Sequence, residues 1–373
     1  MDKIISLGDP TLGDPEKGAL NEVIDSAWLT MGERVKRFEN EFAALHEMPA
    51  GIAVNSCTAG LHLALLALGV GPGDEVLVPS VTFVATTNAV LYVGATPVFV
   101  DIESLDRPHI SIDSAERLLS ERTKAVIVMH YGGYLVDLPA WRDFCDRRGL
   151  HLIEDAAHSP AVGKVGQYGD LSVFSFFTNK NMTTAEGGMI LGKNEGALEK
   201  TRYLRAHGMT TGTLDRYRGH AYSYDVTMLG YNYRMNELQA AMGIVQLERL
   251  PSWNARRLEL VALYRENLER RCPEIGLLFS ADHPNAGHIM PTLLPAGVDR
   301  KKVMDGLRAA GIQSSIHYPP VHLFTHYRER FGEISLPLSE EFALRELTLP
   351  LHPSLADADV ARVVEALERI PGE

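Results

Sequence analysis

Lys180 stands in a polar segment that follows a short apolar, β-branched and aromatic run, Leu171 to Phe177, and precedes the Gly187–Gly188 pair. Such a run forms a buried strand, and a lysine at its exit is held close to apolar surroundings. Partial desolvation there disfavours the ammonium form and lowers the lysine pKa. An amine able to shed its proton near neutrality can attack a carbonyl and form a Schiff base. Most lysines are simply exposed, so the company this one keeps decides the reading. Upstream, HLIEDAAH (151–158) reads as a second buried strand that ends in Asp155, with His158 just beyond it. An aspartate in that place either holds a positive group or caps a helix. Glu154, one residue earlier, points to the opposite face because strand side chains alternate.

Other stretches carry residues suited to anions and ring systems. The turn Asn55–Gly60 leads into the helical TAGLHLALLAL (58–68), and a helix N-terminus offers unpaired backbone N–H groups to a phosphate. Phe83 lies in VTFVATTN, and Asn232 and Arg234 lie in GYNYRMNELQ. Taken alone, Phe83 is as readily a core phenylalanine, His158 a satisfied core histidine, and the Gly-Tyr-Asn stretch an exposed turn.

Seven segments considered together resemble one family. They are WLTMG (28–32), NSCTAGLHLALLALGVGPGDEV (55–76), PSVTFVATTNAV (79–90), EDAAHS (154–159), FSFFTNKNMTTAEGG (174–188), GYNYRMNELQAAMG (230–243) and HYPPVH (317–322). In order, and over nearly the whole chain, they are similar to the DegT/DnrJ/EryC1/StrS sugar aminotransferases, which use pyridoxal 5'-phosphate (PLP). The resemblance implies an α/β protein of PLP fold type I. Its large domain has a mostly parallel seven-stranded sheet flanked by helices, and a smaller α+β domain follows. It also implies PLP joined to Lys180 as a Schiff base, with pyridoxamine phosphate as the half-reaction form. Lys180 would then shuttle the proton between substrate and cofactor. Asp155 would face the ring nitrogen, His158 the phenolic oxygen, and Phe83 the ring face. Cys57, Thr58 and Ser175 would hold the phosphate. Many relatives carry glycine where Cys57 stands, so a reactive thiol is one reading of that departure and inert packing the other.

The same resemblance implies a homodimer with shared active sites, in which Asn232 reaches the other subunit's phosphate and Arg234 meets anionic substrate oxygens. Trp28, Thr30, His317 and Tyr318 would face the sugar. The implied reaction moves an amino group from an amino acid, L-glutamate by preference, to a nucleotide-linked keto-sugar. C4 of a 4-keto-6-deoxy sugar is favoured, because histidine in EDAAH resembles the C4-specific branch. A C3 keto-sugar or a keto-cyclitol of the inosose type stays open as acceptor. A sugar dehydratase would carry histidine in place of Lys180. A catalytically silent PLP-binding regulator would have no need of Lys180, Asp155 and the phosphate turn together.

These residues must be positioned by a scaffold, and 373 residues suffice for a large domain and a smaller one. GIAVN, EVLVP, TPVFVD, KAVIVMH and HLIED are strand candidates separated by helix-length segments. That alternation implies right-handed crossovers and a mainly parallel sheet, with ligands beyond the carboxyl ends of the strands. We divide the chain into an arm (1–15), placed as lying on a partner subunit, a large domain (16–250) and a small domain (251–373). A long helical segment (234–270) is expected to break or kink at Pro251. HIMPTLLP and IQSSIHY read as strands of the small domain, DRKKVMDGLRAAG as a helix closed by Gly311, and ADADVARVVEALERI as an amphipathic helix.

Composition excludes several classes. A formal charge of −12 is wrong for broad nucleic-acid binding. Three cysteines without paired spacing give neither a disulfide framework nor a zinc site, and no His-Glu-x-x-His pattern occurs, so no metal is expected. The Gly-rich GVGPGDE lacks the strand-to-helix context of a dinucleotide fingerprint. No apolar run is long enough to span a membrane and no secretion signal opens the chain, so the expected location is cytoplasmic, with no membrane partner.

Overall fold

The computed structural model describes residues 4–210 and 223–369. Seven strands form the large sheet: β1 (Ile52–Val54), β2 (Glu75–Pro79), β3 (Thr96–Val100), β4 (Thr123–Met129), β5 (His151–Asp155), β6 (Leu171–Ser175) and β7 (Gly188–Leu191). Their order is β1-β7-β6-β5-β4-β2-β3. The run β3, β2, β4, β5, β6 is parallel throughout, while β7 pairs antiparallel with both β6 and β1. Most of these strands are buried along their whole length, which is why they read as continuous apolar runs without alternation. Register aligns Met129 of β4 with Asp155 of β5. Asp155 therefore ends its strand at the same sheet edge as the ends of β4 and β6.

Helices cover both faces. Helix α1 (Asp14–Ser26) and helix α2 (Glu33–Leu45) pack against a 35-residue helix, Glu237–Arg271. On this face Phe38, Phe42, Phe174 and Phe176 form one aromatic cluster. A Cβ at Gly243 would stand 2.8 Å from the Phe38 ring, so only glycine lets the long helix approach this closely. On the other face helix α3 (Cys57–Ala67) and helix α4 (Val84–Tyr92) lie side by side. A Cβ at Gly60 would meet Val173 Cγ1 at 2.5 Å. The first turn of α3 is thereby pressed onto β6, beside the residues that follow Asp155 and Ser175.

The small domain is a three-stranded antiparallel sheet, order β10-β9-β8, made by β8 (Gly276–Leu277), β9 (Met290–Leu293) and β10 (Glu346–Leu349). The helices Arg300–Ala309 and Asp357–Arg369 contribute to its core through Val303, Leu307, Val360, Val363 and Leu367. As expected, Gly311 closes the first of these with a positive φ of 73°.

Two expectations change. The long helix runs through Pro251 as one helix. A proline there costs about 3 kcal/mol, yet Leu247 and Leu250 before it and Leu260 and Tyr264 after it are buried in two different cores, and that burial offsets the lost hydrogen bond. The boundary at 251 thus falls inside a helix shared by both domains. IQSSIHY is no strand: it makes isolated bridges at Ile312 to Ile5 and at Ser315 to Thr348, because Ser315–Pro319 turn aside to line a cavity. The arm, whatever its contact with a partner, packs on its own small domain. Ile5 is buried in that core, and its N–H donates to the Gly311 carbonyl at 2.9 Å.

Candidate active site

A cavity of about 630 Å³ opens at the carboxyl ends of β5 and β6, closed on one side by the segment Ser315–Pro319. Lys180 lines it from the turn after β6, half-buried, with its backbone N–H on the Phe177 carbonyl. Burial lowers its pKa from 10.5 to about 8, against the opposing pull of Cys57 and Asp155. Asp155 lines the same cavity, buried at the end of β5. The Thr86 hydroxyl donates to its Oδ2 at 2.7 Å and the Ala157 N–H to its Oδ1 at 3.2 Å. Burial still holds the carboxyl above its ordinary value, although Thr86, Ala157 and Lys180 pull it down. The amine and the carboxylate expected to cooperate therefore share one cavity and feel each other's charge.

Helix α3 begins at the cavity wall. The Ser56 side chain accepts the Ala59 N–H at 3.1 Å, and its carbonyl takes that of Gly60. Cys57 and Thr58, the first two helical residues, line the cavity, and first-turn N–H groups have no partner inside a helix. With Ser175 nearby they form a cradle for an anion. Burial, then the Asp155 charge, pushes the Cys57 thiol well up, which disfavours the thiolate.

Phe83 settles one alternative. Its ring is 56% exposed and lines the cavity, so it is not a core phenylalanine. His158 also lines the cavity but is buried, with Nε2 3.0 Å from the Tyr318 hydroxyl and its ring 4.1 Å from that of His288. Burial and then Lys180 hold its pKa well below the ordinary value, so the imidazole is neutral. Its buried Nδ1 has no hydrogen-bond partner. His317 and Tyr318 complete the wall.

Four other expected residues lie elsewhere in this chain. Asn232 is exposed and pairs through its backbone with Ala206, and Arg234 pairs with Val54 at the end of β1. Neither lines the cavity. Trp28 and Thr30 follow α1 away from the cavity wall, with the Trp28 indole packed over Gly32. The sequence reading missed Thr86, three residues after Phe83 and so one helical turn on, and Glu186, whose place beside Gly187 in TTAEGG was the available signal. It also missed Phe177, which leaves the strand and turns 45% exposed into the cavity.

The cavity thus combines an amine of lowered pKa, a buried carboxylate, a cradle of backbone donors and an uncovered aromatic face. The orphaned Nδ1 of His158 adds a polar atom awaiting a partner. This donor set fits PLP: Lys180 would meet its aldehyde, Asp155 its pyridine nitrogen, Cys57, Thr58 and Ser175 its phosphate, and Phe83 its ring. Among the described residues no group of three or more His, Cys, Asp or Glu side chains could hold a metal ion, and no helix is long and apolar enough to cross a membrane.

The fold of the chain is shared with known proteins. The aminotransferase TlmJ from Streptoalloteichus hindustanus is 35% identical, with a TM-score of 0.90 and 98% of each chain covered. Helicobacter pylori PseC, an aminotransferase involved in the biosynthesis of pseudoaminic acid, is 29% identical, with the same TM-score and coverage. A sugar-aminotransferase homologue from Streptococcus pneumoniae, solved in its PMP form, is 30% identical, again at 0.90 and 98% of each chain. Residues 10–368 match the DegT/DnrJ/EryC1/StrS aminotransferase family. The chain belongs to that family and is a PLP-dependent aminotransferase.

Proposed function

We propose that the protein moves an amino group from L-glutamate to a nucleotide-linked keto-sugar, at C4 of a 4-keto-6-deoxy sugar. The observation that carries the reading is the shared cavity of Lys180 and Asp155. The sugar is supported by the solved relatives, among them sugar aminotransferases, and C4 by the histidine at 158.

When bound, PLP supplies an electron sink for the carbanion formed at the substrate carbon. The chain's own residues do the rest. The Asp155 carboxylate would hold a proton on the ring nitrogen, and Thr86 and Ala157 keep that carboxylate oriented. Lys180 Nζ, with a pKa of about 8, can hold or release a proton near neutrality, which suits a general acid–base group. Phe83 would exclude water from one ring face.

The acceptor's diphosphate and the donor's carboxylates need cations. Lys180 is the single lysine or arginine among the described lining residues. We therefore assign Arg234 to those anions, and Asn232 to the phosphate, in the partner's site of a homodimer, where guanidinium geometry suits paired oxygens. Trp28 and Thr30 are assigned to the same composite cleft. Incubation with glutamate and a panel of keto-sugar nucleotides, followed by product mass analysis, tests the reading. The expected product has NH₂ and hydrogen in place of the keto oxygen at C4. Reaction at C3, or with cyclitol ketones alone, overturns it.

A further inference from the structure

The segment that closes the cavity is tied to a buried carboxyl. Glu346, at the start of β10, is fully buried. Its Oε2 accepts the His317 backbone N–H at 2.8 Å, and its Oε1 lies 2.5 Å from the Thr348 hydroxyl. The same hydroxyl lies 2.8 Å from His317 Nδ1. Tyr131 adjoins the carboxyl as well, but its hydroxyl donates to the His317 carbonyl. Thr348 is left to join carboxyl and imidazole.

A hydroxyl has one hydrogen to give, so the chain has two consistent hydrogen placements. With Glu346 ionised, Thr348 donates to it and accepts from His317 Nδ1–H, and Nε2 keeps a lone pair. With Glu346 protonated, the carboxyl donates to Thr348, Thr348 donates to Nδ1, and Nε2 carries the hydrogen. The imidazole is neutral in both. Nε2 has no hydrogen-bond partner among the described residues and belongs to a side chain that lines the cavity with Lys180.

We propose that Glu346, Thr348 and His317 form a proton relay joining the cavity to a buried carboxyl, with His317 Nε2 as its outlet. As a substrate oxygen takes the Nε2 proton, Nδ1 takes the Thr348 hydroxyl hydrogen and Thr348 Oγ1 takes the Glu346 proton. The O–H electron pair stays on the carboxylate. One proton leaves Glu346 for each proton delivered, nothing is oxidised or reduced, and the reverse sequence reloads the carboxyl. Transamination needs such a supply, because each half-reaction takes up or releases a carbonyl oxygen as water. His317 is the catalytic residue of this relay; Glu346 and Thr348 are positioning residues that act through it.

The surroundings favour this use. Burial lifts Glu346 to about 8, against the pull of Thr348, the His317 N–H, Arg300 and Tyr131. The carboxyl is therefore loaded at neutral pH. Burial and Lys180 hold His317 down to about 4, so imidazolium does not form. His158, His288 and Tyr318 also face this region and are neutral, each shifted chiefly by burial.

The test uses the holoenzyme. ¹⁵N spectra of histidine-labelled protein are expected to show His317 passing from the Nε2–H to the Nδ1–H tautomer as pH rises through about 8, without an imidazolium stage. A His317 that keeps one tautomer across this range overturns the relay, and this arm needs no folded variant. Thr348→Val breaks the relay and should lower kcat about a hundredfold, the range of a positioned proton-transfer group, and abolish the tautomer change. Thr348→Ser restores the hydroxyl and should recover both. Glu346→Gln should freeze the Nε2–H tautomer and remove the limb near pH 8 from the rate profile. Wild-type rates and pH profiles in Thr348→Val and Glu346→Gln overturn the proposal.

Discussion

The Thr86 hydroxyl donates a 2.7 Å hydrogen bond to Asp155, from the first turn of α4 to the end of β5. Together with the Ala157 N–H it opposes the burial that lifts this carboxyl. Thr86→Val removes that donor and moves the Asp155 pKa further up, so the carboxylate is neutralised at a higher pH. PLP retention should weaken about tenfold, the value of one hydrogen bond to a charged group. Its loss on acidification should also begin at higher pH than in wild type. Dialysis followed by absorbance of the bound cofactor checks both; unchanged retention across pH would remove Thr86 from the site.

Lys180 links function to stability. Its pKa falls from 10.5 to about 8 on folding. Between those values the unfolded chain binds a proton that the folded, cofactor-free chain has released, so stability rises with pH over that window. Below pH 8 both states carry the charge and the folded one bears its desolvation. Lys180→Met should therefore abolish turnover yet stabilise the cofactor-free protein below pH 8, by on the order of 2 kcal/mol. The rise between pH 8 and 10.5 should disappear. Denaturant melts at several pH values give the answer, and a variant less stable than wild type at pH 7 contradicts the assignment.

Phe83 makes the opposite separation. Because its ring is largely exposed, Phe83→Ala should change stability by no more than about 0.5 kcal/mol. Loss of the aromatic face should nevertheless weaken PLP binding several-fold. Thermal melts of the cofactor-free protein beside a cofactor titration distinguish a ring platform from a core side chain.

Asn232 and Arg234 test the shared site. Arg234→Ala and Lys180→Ala should each be inactive alone. Mixed and allowed to exchange subunits, they should regain activity, since one site in each mixed dimer then has both residues intact. Persistent inactivity after verified exchange would show that Arg234 serves its own chain.

Much of the scaffold was legible because its signals are local. Buried parallel strands appear as continuous apolar runs, and helix closure by Gly311 follows from a left-handed backbone angle. Asp155 was readable as a strand-end carboxylate, and the turn Asn55–Gly60 as the lead into a helix. Pro251 misled because a local penalty was outweighed by burial contributed by two cores distant in sequence. IQSSIHY misled for a related reason: its pattern suits a strand, but the cavity claims its side chains.

The amino-acid sequence by itself determined which functional groups exist and at which ends of which strands they emerge, since periodicity and turn chemistry act over a few residues. Only the tertiary structure decided their ionisation and partnership. The lowered pKa of Lys180 comes from burial, against the opposing pull of Cys57 on α3 and Asp155 on β5. The contact of Glu346 with His317 joins residues far apart in the chain. Desolvation and long-range hydrogen bonds depend on how elements pack, and no short window of residues contains that information.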